Sequence, residues 1–139
     1  MRAKIAVKGI LFDKHRSRIL LVQRSGDDPT GPGTWESAGG CMERGETPED
    51  ALRREIREEV GIADITIRGL AYVSMLDGDD PCLIIVYVCE SPTESVRLSA
   101  EHRSFRWADQ EACKALLPQP IMDDFNRNGI FDLFSNGTD

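Results

Sequence analysis

Residues 40–62 read GCMERGETPEDALRREIREEVGI, and this stretch decides the fold. Thr47 is a good N-cap, Pro48 suits the first helical position, and Asp50 stands three residues after the cap in the manner of a capping box. Leu52, Ile56 and Val60 fall within about 80° of one another on a helical wheel, so they form a core-facing stripe. Gly61 ends the helix as a C-terminal cap. Beside the apolar stripe, Glu55, Glu58 and Glu59 are spaced i, i+3 and i+4 on a second stripe about 100° wide. Like charges so placed destabilise a bare helix by a few tenths of a kcal/mol per pair. Arg53 and Arg57 lie on the far side, whereas Arg54 borders the stripe and can pair with Glu58. Spacing alone leaves two readings open: a solvated charged face, or a site for a hard divalent cation, which takes carboxylates, waters and substrate phosphates. Glu46 can reach such a site from the preceding loop. Gly39-Gly40 leaves bare backbone whose carbonyls offer a further ligand.

Outward from this helix the chain mixes strands and helices. Residues 3–12 and 18–23 read as two strands joined by the polar turn 13–18, a hairpin. Residues 24–34, RSGDDPTGPGT, carry the Gly and Pro of a loop. The segment 35–41 is too short to assign. Residues 62–76 and 82–89 read as strands, and 96–98 and 103–107 as short ones. Asp109 caps a helix over 110–116. The segment 120–134 reads as a last amphipathic helix with Ile121, Phe125, Ile130 and Phe134 on its apolar face, although Gly129 interrupts it. Residues 135–139 are expected to fray. The fold class expected is α/β, a mixed sheet flanked by helices, in a single domain over residues 1–139.

Composition narrows the function. The chain has 139 residues, 40% hydrophobic and 29% charged, with a net charge of -7. That balance speaks against a nucleic-acid polymer as partner, which would need a basic footprint. It does not speak against an anionic small molecule, because bound cations reverse a local field. Residues 40–62 alone hold seven acids against four arginines. No apolar run of roughly 7–15 residues follows the first basic residues, so no secretory signal is expected. The longest apolar run, 82–89, is far short of the ~20 residues of a membrane helix. A soluble, cytoplasmic protein is expected. Cys41, Cys82, Cys89 and Cys113 are widely spaced, and buried reduced thiols are the expectation. Zinc is disfavoured because His15 and His102 do not stand at ligand spacing.

The segment is similar to the Nudix box, whose pattern is Gx5Ex7REUxEExGU with U a bulky aliphatic. Gly40, Glu46, Arg54, Glu55, Ile56, Glu58, Glu59, Gly61 and Ile62 fill every defined position. A chance match at a given start is on the order of one in a billion from average residue usage. The strand ending at Arg24, the Gly33-Thr-Trp35 turn, Gly39-Gly40 and the later Leu98–Trp107 stretch resemble the family more loosely. The chain thus resembles a MutT-like Nudix hydrolase. The resemblance implies an α/β/α sandwich and a Mg²⁺- or Mn²⁺-dependent pyrophosphohydrolase, acting on a nucleoside diphosphate linked to another moiety. It implies Glu58 and Glu59 as principal metal ligands, Glu55 as ligand or activating base, and a carbonyl of Gly39 or Gly40 completing the metal site. Glu46 is a supporting carboxylate near the substrate, and Arg54 orients the glutamates. Relatives often take a base or an extra ligand from a glutamate outside the box, and Glu101 is the candidate for it. Dimerisation is common among such proteins.

Those residue types suit the chemistry. An anionic phosphate repels an anionic nucleophile; metal ions screen that charge and acidify bound water, and a carboxylate takes its proton. Trp35 is a candidate for stacking on a base, and Arg24 for pairing with a phosphate. Tyr72 and Tyr87 read as structural, His102 receives no catalytic role, and Cys41 reads as inert among its acidic neighbours. Two departures matter. Ser37-Ala38 stand where many relatives have Leu-Pro before the two glycines. No proline stands some fifteen residues past the box, a feature of many ADP-ribose hydrolases, which argues against ADP-ribose without removing it; a nucleotide sugar or ADP-ribose stays as the alternative substrate. An isoprenyl diphosphate isomerase would need a cysteine well upstream, and the first here is Cys41. A non-catalytic sensor domain is disfavoured because no box glutamate is lost. A nucleoside triphosphate, canonical or oxidised, is therefore the expected substrate.

Overall fold

The computed structural model describes residues 1–28 and 31–135. Seven strands form one mixed sheet: β1 Lys4–Phe12, β2 Ile19–Arg24, β3 Trp35–Glu36, β4 Ala38–Cys41, β5 Thr66–Leu76, β6 Cys82–Glu90 and β7 His102–Ala108. Three helices, α1 Pro48–Val60, α2 Gln110–Leu116 and α3 Gln119–Arg127, precede a 3₁₀ turn at Ile130–Leu133. No helix among the described residues is long and apolar enough to cross a membrane.

Period-two alternation along the central strands sorts side chains into two cores. Val7 and Leu11 of β1, Leu20 and Val22 of β2, and Tyr87 and Cys89 of β6 pack with Leu52, Ile56 and Val60 of α1. Ile10 and Phe12, Ile19 and Leu21, and Val86 and Val88 face the other way, against Cys113 of α2, Phe125 of α3, Ile130 and Phe134. Helices on both faces of a mixed sheet are the α/β/α sandwich expected. Gly9 sets how close α1 comes: a Cβ there would stand 3.0 Å from Ile56 Cδ1.

The box helix has the caps read from its sequence. Thr47 accepts from the Asp50 N–H, and Gly61, at φ +74°, donates its N–H to Arg57 O. Elsewhere the structure corrects the reading. The expected hairpin pairs only at Phe12 opposite Ile19. β4 occupies the adjoining edge of β1 from Ala6 to Gly9, and β6 runs parallel along the other edge. β2 therefore leaves β1 and pairs with β3 and β7. Buried Asp13 holds the turn by accepting from Ser17 N, Arg18 N and Arg18 Nε. The ambiguous 35–41 segment is two short strands broken at Ser37.

The strand expected from residue 62 begins only at Thr66, because Ile62 and Ile65 are buried beneath α1. Residues 96–98 form no strand. Instead Arg97 N–H donates to Val60 O and Ser99 N–H to Glu59 O, satisfying carbonyls that the end of α1 leaves open. The last expected helix is divided at Gly129, whose φ of +65° ends α3 and starts the 3₁₀ turn. Of the tail expected to fray, residues 136–139 lie outside the described residues, as do residues 29–30 of the expected loop. Ser135 is tied down, donating its N–H to Arg16 O and its hydroxyl to His15 O. Among the described residues all four cysteines are free thiols, and Cys41 is exposed rather than buried.

Candidate active site

The end of α1 and the strand β4 bring the box glycines and glutamates together. Gly39 has φ +149°, and a Cβ there would run into Val7 O and stand 2.8 Å from Lys8 Cα. Only a glycine lets β4 lie this close to β1. The Glu55 carboxylate lies where a Cβ of Gly40 would be. Glu59 reaches back from the last turn of α1, and its Oε1 accepts the Gly39 N–H at 2.8 Å. Its side chain is only 6% exposed. Burial pushes its carboxyl up to about 7, against the opposing pull of Lys8 and the Gly39 N–H. Burial also raises Glu55, partly offset by Arg54.

Arg54 is the hub of the box. Its Nε and Nη2 fork the Glu46 carboxylate at 2.7 and 3.0 Å. Nη1 reaches Glu55 at 2.9 Å and Glu58 at 3.2 Å, and Nη2 also donates to Cys41 O at 3.1 Å. The fork holds Glu46 ionised down to about 2. The like-charge stripe is thus compensated by an arginine the sequence placed at its border. Glu58 is the most exposed of the three helix acids and points to Arg54.

A cleft of about 780 Å³ opens beside this constellation. Gly39, Gly40, Glu55, Glu59, Glu101 and His102 line one part of it, and Lys4, Lys8 and Arg24 another. Glu58 is not among its lining residues. One ligand atom each from Glu59, Glu101 and His102 lie within 4.8 Å of one another. His102 is 4% exposed, and its Nδ1, 3.7 Å from Glu59 Oε2, is a buried ring nitrogen without a hydrogen-bond partner. Clustered carboxylates, bare glycine backbone and an unpartnered buried nitrogen fit a divalent cation.

A second network stands behind the first. Glu36 accepts from Arg24 Nε and Nη2, both at 3.0 Å, from Lys8 Nζ at 3.3 Å, and lies 3.3 Å from His102 Nε2. Burial would raise its pKa, but His102, Lys8 and Arg24 together hold it at about 2. Lys8, Arg24 and Glu36 also border an adjoining cavity of about 380 Å³. Trp35, Tyr72, Ile84, Val86, Pro118 and Ile121 make it largely apolar, and Asp124 adds a carboxylate. Trp35 also packs on the second core. Tyr72, read as structural, lines this cavity as well.

The structure thus brings together Gly39, Gly40, Glu55, Glu59 and Glu101, ties Glu46 and Glu58 to them through Arg54, and sets Arg24 and Trp35 on the neighbouring wall. Lys8, Glu36 and His102 were missed as site residues. Lys8 had a signal: it is the one charge inside the apolar run from Ile5 to Phe12. Glu36 and His102 had none, because their meeting depends on β3 and β7 both pairing with β2.

A family model for the NUDIX domain matches residues 2–129. A nucleoside triphosphatase NudI from Enterobacter sp. (strain 638) is 31% identical over 127 residues, covering 84% of this chain and 89% of that one. Among solved structures, a MutT protein from Methanosarcina mazei Go1 is similar with a TM-score of 0.78 and 25% identity, over 94% of this chain and 95% of that one. A C. elegans Ap4A hydrolase shares the fold at a TM-score of 0.77 and 20% identity, over 93% and 97% of the two chains.

Proposed function

This chain belongs to the Nudix family of hydrolases, which act on phosphoric anhydrides, and on that premise we propose that it is a divalent-metal-dependent pyrophosphohydrolase of nucleoside triphosphates. One observation carries the reading. The acidic, glycine-lined cleft and the apolar cavity share Lys8, Arg24 and Glu36 as a common wall. A nucleotide divides in the same way, into an anionic chain and an apolar base. The similar NudI proteins are named nucleoside triphosphatases, which supports the triphosphate.

In this reading Glu59, Glu101 and the Gly39–Gly40 backbone, which line the cleft, would hold the metal, and Glu58, which Arg54 holds, would join them. When bound, the ion supplies charge screening at the phosphates and a more acidic water. Water oxygen bonds to phosphorus as the anhydride P–O bond breaks, giving a nucleoside monophosphate and pyrophosphate. Glu55 accepts the water's proton: it lines the cleft, Arg54 orients one of its oxygens, and burial favours its protonated form. Arg54 also holds Glu46 and Glu58, so the carboxylates keep their spacing as charge accumulates. Lys8 and Arg24 face the phosphates from the shared wall, and Trp35 offers a face to the base.

Hydrolysis of canonical and oxidised nucleoside triphosphates, nucleotide sugars, ADP-ribose and dinucleoside polyphosphates, with Mg²⁺, Mn²⁺ or EDTA, tests this. A triphosphate should be turned over best, only with metal, and Glu58→Gln should remove most of that turnover. Unchanged turnover in Glu58→Gln, or binding without hydrolysis across the panel, overturns the proposal.

A further inference from the structure

The unpartnered Nδ1 of His102 has a specific chemical preparation. Glu36 is a carboxylate held ionised by Arg24 and Lys8, so it can only accept a hydrogen bond. The ring nitrogen facing it at 3.3 Å, Nε2, must therefore carry the proton. In the neutral ring Nδ1 then bears the lone pair. That lone pair is buried, has no hydrogen-bond partner and lies 3.7 Å from Glu59 Oε2, and a ring nitrogen of His102 stands within 4.8 Å of carboxylate oxygens of Glu59 and Glu101. A buried acceptor is unfavourable without a partner, and a cation is a partner a lone pair can take.

Resting on the metal dependence proposed above, we propose that His102 Nδ1 is a metal ligand, completing with Glu59 and Glu101 a mixed nitrogen–oxygen site in which Glu36 is the carboxylate that orients the imidazole. The order carboxylate, imidazole, metal is the usual support of a ligating histidine, and it sets both tautomer and ring plane. The consequence is a metal preference. Mg²⁺ takes oxygen ligands and loses its waters reluctantly, whereas first-row transition ions accept imidazole readily. This site therefore favours Mn²⁺ over Mg²⁺.

Pulsed EPR of the full-length protein loaded with Mn²⁺ tests the ligand directly. Wild type should show nitrogen modulation from a coordinated imidazole, changing from ¹⁴N to ¹⁵N when histidine is isotopically labelled. His102→Gln should lose the modulation and bind Mn²⁺ roughly 10–100-fold more weakly, with a smaller loss for Mg²⁺. His15→Gln should change neither. If the glutamine variant fails to fold, the labelled wild-type spectrum alone decides. Bound Mn²⁺ with no nitrogen modulation overturns the proposal while leaving metal-dependent hydrolysis standing. Failure of the protein to bind Mn²⁺ at all overturns both.

Discussion

Replacing Glu59 with glutamine should make the metal-free protein more stable at pH 8 while abolishing its response to metal. Glu59 is buried, and its carboxyl lies at about 7 against an ordinary 4.5. A carboxyl raised in the folded state contributes stability below about 4.5 that is lost as pH rises through about 7. At pH 8 the folded protein therefore carries an ionised group it would rather hold protonated, a preference worth about 3 kcal/mol; at pH 5 about 1 kcal/mol remains. Glutamine has the shape of the protonated acid. Its oxygen can keep the Gly39 N–H, and its NH₂ can donate to the bare His102 Nδ1. For a chain of this length the gain is about 10 °C in melting temperature at pH 8, and about a third of that at pH 5. Differential scanning calorimetry in EDTA at the two pH values measures it. Repeating the scans in millimolar Mn²⁺ should raise wild type and leave the variant unmoved. A variant as stable as wild type, or less stable, at pH 8 would refute the claim that burial of an ionised Glu59 is the cost metal binding offsets.

Three further outcomes follow from the same geometry. Arg54→Lys cannot fork Glu46 while also reaching Glu55, Glu58 and Cys41 O. It should lower kcat/KM about 10–100-fold with an unchanged circular dichroism spectrum, read by pyrophosphate release. Gly39→Ala places a methyl against Val7 O and Lys8 Cα at φ +149°. It should cost roughly 3 kcal/mol or more in urea unfolding, or leave the protein insoluble. Trp35→Ala removes an aromatic wall of the apolar cavity. If a base stacks there, KM for the nucleotide rises about 5–100-fold, while the metal-induced shift in melting temperature stays within error of wild type.

Much of this protein is determined locally and so was legible in the chain. The caps at Thr47 and Gly61, the apolar stripe of Leu52, Ile56 and Val60, and the helix over 110–116 each depend on neighbours a few residues away. Helical period set Glu55, Glu58 and Glu59 on one stripe with Arg54 at its border, and the resemblance to the box added Glu46; the longer strands were legible as apolar runs, whereas 35–41 was not assigned and 96–98 forms no strand. Strand pairing was not legible, because it is a competition between edges. The turn at Asp13 brings β2 back beside β1, yet β4 fits against β1 only because Gly39 has no side chain, and β2 is displaced to β3 and β7. That displacement carries Glu36 and His102, 66 residues apart, to within 3.3 Å, and sets His102 beside Glu59. Local periodicity determined which residues share the face of a helix. Long-range packing decided which of their carboxylates are buried, which stay in water, and that an imidazole stands among them, because burial and its electrostatic consequences belong to the assembled sheet and not to any segment of it.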